Sequence, residues 1–220
     1  MKASHLFYSF AFSLLLMPLI VLNTWAASCD PATFSSITPP GDATDVVIDS
    51  AISIATKPSM PAYCEVKGRI DTKSTSVIQF EIRLPKSWNG KFLMSGIGGY
   101  AGSIKFTDNN APLALSRGYA VSTTNTGHVG SGIPTWALNN KRGQNNFAYR
   151  SIHLVAILSK SIISTYYGKT PRFSYFSGCS NGGRQALMEV ERYPTDFDGV
   201  IAVAPAQLPH AVLGWIWNQQ

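Results

Sequence analysis

The feature that most constrains this chain is a serine flanked by glycines where an apolar strand pattern meets a helical pattern. The apolar run 173–176 leads into Gly178, Ser180 and Gly182, and residues 181–193 have helical apolar spacing. A serine in so sharp a strand-to-helix turn needs neighbours two positions away that lack side chains. Its hydroxyl would then project above the sheet at the helix N-terminus, where free N–H groups favour negative charge. The pattern predicts that Ser180 is a nucleophile.

A dinucleotide-binding turn is the competing interpretation, because such folds also use glycine-rich turns between a strand and a helix. A second glycine-rich loop, 96–102, loosely fits the dinucleotide fingerprint through Gly96, Gly98 and Ala101. No good helix pattern follows it, and no acidic residue lies about 20 positions further on, where the ribose contact requires one. We therefore reject a dinucleotide site.

The same glycine loop follows an apolar strand pattern at 91–96, which is where folds with this kind of serine turn place their first oxyanion donor. The backbone N–H of Gly98 or Gly99 would be that donor, and the N–H of Asn181 would be the second. Ile97 interrupts the glycine run, so the sequence leaves open which glycine donates.

The order of the other patterns predicts an α/β fold with a largely parallel sheet. Residues 63–70 and 76–84 alternate between apolar and polar, as antiparallel strands do. From residue 91 onward, short apolar runs alternate with helical patterns, which indicates βαβ units. Helical patterns cover 111–117, 147–167 and 181–193, and further strand patterns cover 119–123 and 200–204. We expect residues 28–61 to form an extended N-terminal segment and residues 125–146 to form a long loop.

The N-terminus predicts a secretory signal peptide over residues 1–27, which leaves 28–220 as the N-terminal part of a catalytic domain. Lys2 and His5 precede an almost wholly apolar stretch, and small residues surround Ala26. A membrane anchor is the alternative, but roughly 17 apolar residues broken by Pro18 are short for a span. We expect a secreted or periplasmic protein that does not stay in the membrane once the signal is removed.

The charges exclude nucleic acid as a predicted partner. The formal net charge is +6, but Lys and Arg are scattered and form no run and no stripe interleaved with aromatic residues.

The three cysteines are an odd number for an exported chain, where disulfides are common. Cys29 and Cys64 both lie in the first third, and we expect them to pair. Cys179, next to Ser180, is left over.

The segments around Ser180 resemble the tannase and feruloyl esterase family, which belongs to the α/β-hydrolases. The resemblance lies in residues 178–187, 193–200 and 204–206, and extends back through 83–85, 88–92, the glycine loop and 122–128. It implies a serine carboxylic ester hydrolase that acts on small aromatic esters of the feruloyl or galloyl type through an acyl-enzyme on Ser180. In this family a cysteine before the nucleophile pairs with one beside the catalytic histidine, so Cys179 would have its partner outside this chain.

The resemblance also implies that the acid and base of the triad follow a long inserted lid, which often carries calcium. This chain ends before that lid and before the C-terminal part of the sheet, so we expect it to be incomplete, with no cofactor within it. Within the chain, the carboxylates and histidine after Ser180 are Glu189, Glu191, Asp196, Asp198 and His210.

These five residues are poor triad candidates. A helix of about 12 residues carries Asp196 and Asp198 roughly 18 Å away, to the wrong end of the sheet. His210 follows the last strand but lies in an apolar helical pattern, and we expect the base elsewhere. His128, which precedes the serine, is interpreted as a loop-ordering or pocket residue.

Two alternatives remain open. The 220-residue chain would be an inactive fragment or a ligand-binding remnant if it lacks the triad acid and base, and we expect the isolated chain to be insoluble or inactive. A transferase that uses the same acyl-enzyme has the same sequence features.

Overall fold

The computed structural model describes residues 26–106, 110–130 and 132–206. The predicted signal peptide, apart from its last two residues, and His210 lie outside the described residues, so both remain predictions.

The described residues form one seven-stranded sheet with helices between its later strands. The strands are β1 Val46–Ile54, β2 Tyr63–Ile70, β3 Ile78–Pro85, β4 Lys91–Ser95, β5 Ala120–Thr124, β6 Phe173–Cys179 and β7 Gly199–Val203. The α-helices are α1 Asn110–Ser116, α2 Lys141–Asn145, α3 Ser151–Tyr167 and α4 Asn181–Arg192. Two short 3₁₀ turns cover Pro31–Phe34 and Pro134–Ala137, and a π-helical turn covers Asn146–Arg150.

The sheet order is β1-β2-β3-β5-β4-β6-β7. The pairs β1 with β2, β2 with β3 and β3 with β5 are antiparallel. The pairs β5 with β4, β4 with β6 and β6 with β7 are parallel. Parallel neighbours need a crossover connection, which α1, α3 and α4 provide. The predicted change from antiparallel to parallel strands, and the α/β fold class, are confirmed.

Helix α3 covers one face of the sheet and supplies much of the core. Its apolar residues follow helical spacing, and Leu154, Val155 and Ile162 are fully buried. They belong to one cluster with Phe92 and Phe176 of the central parallel strands. Each such side chain contributes about 1.5–3 kcal/mol when fully buried. The helix ends at Tyr167 and is capped by Gly168, which adopts the left-handed conformation with φ 66°.

The predicted extended N-terminal segment 28–61 contains a strand, β1, that the sequence pattern did not predict. Strand β1 pairs with β2 from Val46 opposite Ile70 to Ile54 opposite Tyr63. A register shift between Ile48 and Ser50 breaks the two-residue alternation that identifies a strand in sequence. The disulfide predicted between Cys29 and Cys64 is confirmed, and it ties this segment to β2.

The boundary between the predicted loop 125–146 and the helix 147–167 was wrong. Helix α2 begins inside that loop, where the Asn140 side chain accepts a hydrogen bond from the N–H of Gly143 at 3.0 Å. The π turn follows α2, and the regular α-helix starts only at Ser151.

The π turn is held by a buried ion pair between Arg150 and Asp71, which follows β2. Asp71 is fully buried and Arg150 is 4% exposed, and the Arg150 Nη1 to Asp71 Oδ2 distance is 2.7 Å. The Asp71 carboxylate also accepts hydrogen bonds from the Thr44 N–H and from Arg142. The four groups join the N-terminal segment, the end of β2 and the helical region.

Candidate active site

Ser180 occupies the sharp turn that the sequence predicts between β6 and α4. Strand β6 ends at Cys179, α4 begins at Asn181, and Ser180 between them has φ 58° and ψ −118°. A positive φ is unfavourable for a residue with a side chain and tends to persist where the surrounding structure enforces it, often at functional sites. The residue is solvent-exposed. The turn therefore presents Ser180 to solvent at the carboxyl end of the parallel strands.

The glycines around Ser180 are required by close backbone contacts. A Cβ on Gly178 would lie 2.4 Å from the carbonyl oxygen of Gly182, and one on Gly183 would lie 2.5 Å from that of Val203. A Cβ on Gly182 would lie 3.1 Å from the carbonyl carbon of Gly96. These contacts confirm the physical reason given above for small residues on both sides of the serine.

The Ser180 backbone is anchored to the end of β7. Its N–H donates to the carbonyl oxygen of Val203 at 3.0 Å, and its carbonyl oxygen accepts from the N–H of Ala206 at 3.0 Å. The same carbonyl accepts from the N–H of Arg184 in the first turn of α4. Strand β7 and the first helical turn thus hold the strained turn from two sides.

The predicted oxyanion loop lies directly against the start of α4. The Gly96 N–H donates to the carbonyl oxygen of Ser177 at 2.8 Å, and a Cβ on Gly96 would lie 2.9 Å from the Gly182 Cα. Gly98 and Gly99 follow at the exposed surface, and Gly99 has φ 60°. The N–H groups of the first helical turn have no partner within the helix and suit a developing negative charge. The structure therefore brings together the glycine loop, Asn181 and Ser180.

His128 packs against the end of this loop, where a Cβ on Gly102 would lie 2.9 Å from the His128 Nε2. Its ring is 7% exposed and stacks on Trp136 with centroids 3.8 Å apart. Burial lowers the pKa of His128, which favours the neutral ring. Around it, the Gly102 N–H donates to the Asn125 carbonyl oxygen and the Gly130 N–H to that of Gly102. These hydrogen bonds order the loop around His128, and its role as a loop-ordering or pocket residue stays a prediction.

The carboxylates that follow Ser180 lie at the opposite end of α4 and of the sheet. The Asp198 carboxylate accepts a hydrogen bond from the N–H of Ser174, at the start of β6, at 2.7 Å. Asp196 Oδ2 lies 2.6 Å from His153 Nδ1 on α3. Glu191 is exposed near the end of α4. The structure thus does not bring these residues to Ser180.

Asp196 belongs to a cluster with Glu189, which is buried like Asp196, and with the partly buried His153. One potential ligand atom from each of the three lies within 4.8 Å of the others, so the cluster has side chains of the kind that can bind a metal ion. Glu189 is 1% exposed, and its carboxylate oxygens accept no hydrogen bond from the described residues. Burial, reinforced by Asp196, raises the pKa of Glu189 to about 9. Local sequence carries no signal for this cluster, because His153 and Asp196 are 43 positions apart in the chain.

Glu189 should make stability fall as pH rises. Because its pKa is higher in the folded than in the unfolded chain, folding is favoured by protonation, and that stabilisation declines between about pH 4.5, the ordinary value, and about pH 9. Glu189→Gln, which keeps the shape of the neutral acid, should flatten this slope. Urea unfolding at pH 5, 7 and 8.5 measures it. Glu191→Gln, at an exposed position, is the control, and an unchanged slope in Glu189→Gln would contradict the assignment.

Cys179, the residue before Ser180, is a free and exposed thiol.

None of the helices in the described part of the chain has the length and apolar character needed to cross a bilayer.

Known proteins resemble this chain over most of its length. An uncharacterised esterase of Xanthomonas campestris is 33% identical over 208 residues, which are 90% of this chain and 36% of that protein. Feruloyl esterase B of Aspergillus niger is 38% identical over 152 residues, 69% of this chain and 29% of that enzyme. The crystal structure of feruloyl esterase B from Aspergillus oryzae superposes with a TM-score of 0.64 at 33% identity, covering 80% of this chain and 37% of that one. The chain thus spans about a third of the length of these relatives.

Residues 64–219 match the family described as tannase and feruloyl esterase. This match covers the glycine loop, the serine turn and α4, and the mixed sheet agrees with the fold of the related esterases. The chain therefore belongs to the tannase and feruloyl esterase family of α/β-hydrolases.

Proposed function

We propose that the protein carrying this chain hydrolyses carboxylic esters of aromatic acids, of the feruloyl or galloyl type, with Ser180 as the nucleophile. The observation that carries the proposal is the exposed Ser180 held at φ 58° between β6 and α4. A strained, exposed serine between two sterically required glycines is costly to keep, and nucleophilic catalysis is the chemistry that uses it.

The proposed reaction begins with attack of the Ser180 Oγ on the ester carbonyl. A general base takes the Oγ proton and returns it to the departing alcohol, which leaves an acyl-enzyme that water then hydrolyses. The negative charge on the carbonyl oxygen would be stabilised by the N–H of Asn181 and by that of Gly98 or Gly99. The base and the acid that orients it would come from residues beyond this chain, since the chain spans about a third of its relatives.

The substrate class is proposed from the relatives. Two of the proteins described above are feruloyl esterases, whose names specify an aromatic acyl group. The Cys29–Cys64 disulfide supports the proposal that the protein is exported, since disulfides persist in oxidising compartments. We also propose that Cys179, exposed beside Ser180, forms its disulfide with a cysteine outside this chain.

A fluorophosphonate probe tests the nucleophile directly. We expect the protein expressed from its complete reading frame to be labelled on the peptide that contains Ser180 and to hydrolyse methyl ferulate. Adding an alcohol acceptor distinguishes a hydrolase from a transferase, because a transferase would give the new ester instead of ferulic acid. Absence of the probe from Ser180 in folded, active protein would contradict the proposal.

The second candidate is that the 220 residues by themselves are a catalytically inactive fragment or a ligand-binding remnant. It is favoured by β7, whose Ile201 and Val203 side chains are 59% and 44% exposed, an apolar surface that promotes association. Soluble monomer of the isolated chain with turnover that depends on Ser180 would refute this candidate.

A further inference from the structure

The peptide groups on both sides of Ile97, in the glycine loop, are held by two side chains of α4. The Ile97 N–H donates to Gln185 Oε1 at 3.0 Å, and the Ile97 carbonyl oxygen accepts from Asn181 Nδ2 at 3.0 Å. Gln185 is 1% exposed and Asn181 is 5% exposed. Both hydrogen bonds are therefore shielded from water, where losing one partner is costly.

Arg184 fixes the orientation of the Asn181 amide. Its Nε donates to Asn181 Oδ1 at 2.8 Å, so the Asn181 oxygen faces Arg184 and its NH₂ group must face Ile97. The guanidinium is itself held by the carbonyl oxygens of Phe147 and Ala148, at 2.9 and 2.8 Å, and lies over the Phe147 ring. Asn181 therefore cannot turn its amide around without losing the Arg184 bond.

Fixing the Ile97 carbonyl also fixes the N–H of Gly98. The two groups belong to one planar trans peptide, in which the C=O and N–H point in opposite directions. Because the Ile97 oxygen points at Asn181, the Gly98 N–H points away from it. Nothing lies within 4 Å of the position that a Cβ on Gly98 would occupy, and Gly98 is exposed. The loop is therefore open to solvent around the Gly98 Cα.

We propose that the side chains of Asn181 and Gln185 are positioning residues that aim the Gly98 N–H at the substrate carbonyl oxygen. The inference rests on the proposed ester hydrolysis and deepens it: it selects Gly98 over Gly99 as the loop donor. An oxyanion donor contributes fully only when its direction is set before the charge develops, and a displacement of about 1 Å can cost roughly 100-fold in rate.

Two substitutions separate this role from simple packing. Asn181→Asp keeps the oxygen that accepts from Arg184 but loses the NH₂ donor to Ile97. Gln185→Met keeps the length of the side chain but loses the acceptor, whereas Gln185→Glu keeps an acceptor oxygen. We expect Asn181→Asp and Gln185→Met to lower kcat for methyl ferulate about 10- to 100-fold with KM within about twofold. Gln185→Glu should recover part of the loss at acidic pH, where its buried carboxyl is neutral.

The measurement combines steady-state kinetics with amide hydrogen exchange on the protein from its complete reading frame. Gln185→Met should speed exchange of the Ile97 amide, and the double variant should lose little more activity than either single one, because both changes release the same residue. Unchanged Ile97 exchange, or faster exchange with normal kcat, would overturn the proposal. Failure of the proposed function is recognised separately, because Ser180→Ala would then leave hydrolysis intact. Glu191→Gln on the same helix is the control for both measurements.

Discussion

Replacing Ser180 with alanine should lower kcat/KM for methyl ferulate by at least about 10⁴-fold, with no loss of folding stability. Loss of the nucleophile removes the covalent route entirely, and in other serine hydrolases a single such change costs about 10⁶-fold in kcat. The side chain is exposed and its backbone is held by Val203 and Ala206 through main-chain atoms alone, so alanine preserves the turn. Initial rates and urea unfolding of the two proteins provide the measurement.

The matched control is Ser161→Ala on α3, which removes another exposed hydroxyl, bonded to the Ile157 carbonyl oxygen. It should leave kcat/KM unchanged. Retention of more than about a tenth of the wild-type rate by Ser180→Ala would contradict the assignment. Covalent catalysis cannot proceed without the attacking hydroxyl, so the nucleophile would then be another residue.

Asp71→Ala should destabilise the folded chain by about 3–5 kcal/mol, the range for breaking a buried ion pair. The substitution removes the buried carboxylate 2.7 Å from Arg150 Nη1 and leaves this guanidinium, 4% exposed, with the 66% exposed Asp42 as its carboxylate partner. It also removes the acceptor of the Thr44 N–H and of Arg142. Asp49→Ala removes a carboxylate from a surface pair with Arg69, whose side chains are 37% and 42% exposed. That control should cost less than about 1 kcal/mol.

The stabilisation that Asp71 provides should increase with pH, whereas the stabilisation that Glu189 provides should decrease. Burial would raise the pKa of Asp71, but the Thr44 hydrogen bond and the Arg142 and Arg150 guanidinium groups outweigh it and hold the pKa below the ordinary 3.8. The stabilisation is therefore present above about pH 4 and is lost as pH falls through the folded-state pKa. Urea midpoints at pH 7 and pH 3 should show wild type and Asp71→Ala converging in acid. Equal losses for Asp71→Ala and Asp49→Ala at pH 7 would contradict the role of the buried pair.

The part of the site that could be predicted from sequence is the part encoded within a few residues. Gly178, Ser180 and Gly182 are close enough in the chain for their spacing to specify the turn, and the change in apolar periodicity specified the parallel strands. Strand β1 was missed because its register shift at Ile48 to Ser50 removes the two-residue alternation.

The polar networks could not be predicted, because each joins residues far apart in the chain. Ile97 and Gln185 are separated by 88 positions, Asp71 and Arg150 by 79, and His153 and Asp196 by 43. Each pair has unremarkable residues for its local pattern: a glutamine in a helix, an aspartate after a strand. Only the packing of α3 and α4 on the sheet brings them together, and periodicity carries no information about such pairs.

The π turn at Asn146–Arg150 makes the number of residues in this helical region as important as their identity. Successive residues of an α-helix are rotated by about 100° around its axis, as follows from 3.6 residues per turn. Adding or deleting one residue in this turn would rotate Phe147 and Ala148 relative to α3, and their carbonyl oxygens would no longer face the Arg184 guanidinium. Such an insertion or deletion would therefore disturb the glycine loop beside Ser180 even with every polar side chain intact. Phe147 and Ala148 lie more than 30 positions before Ser180 in the chain.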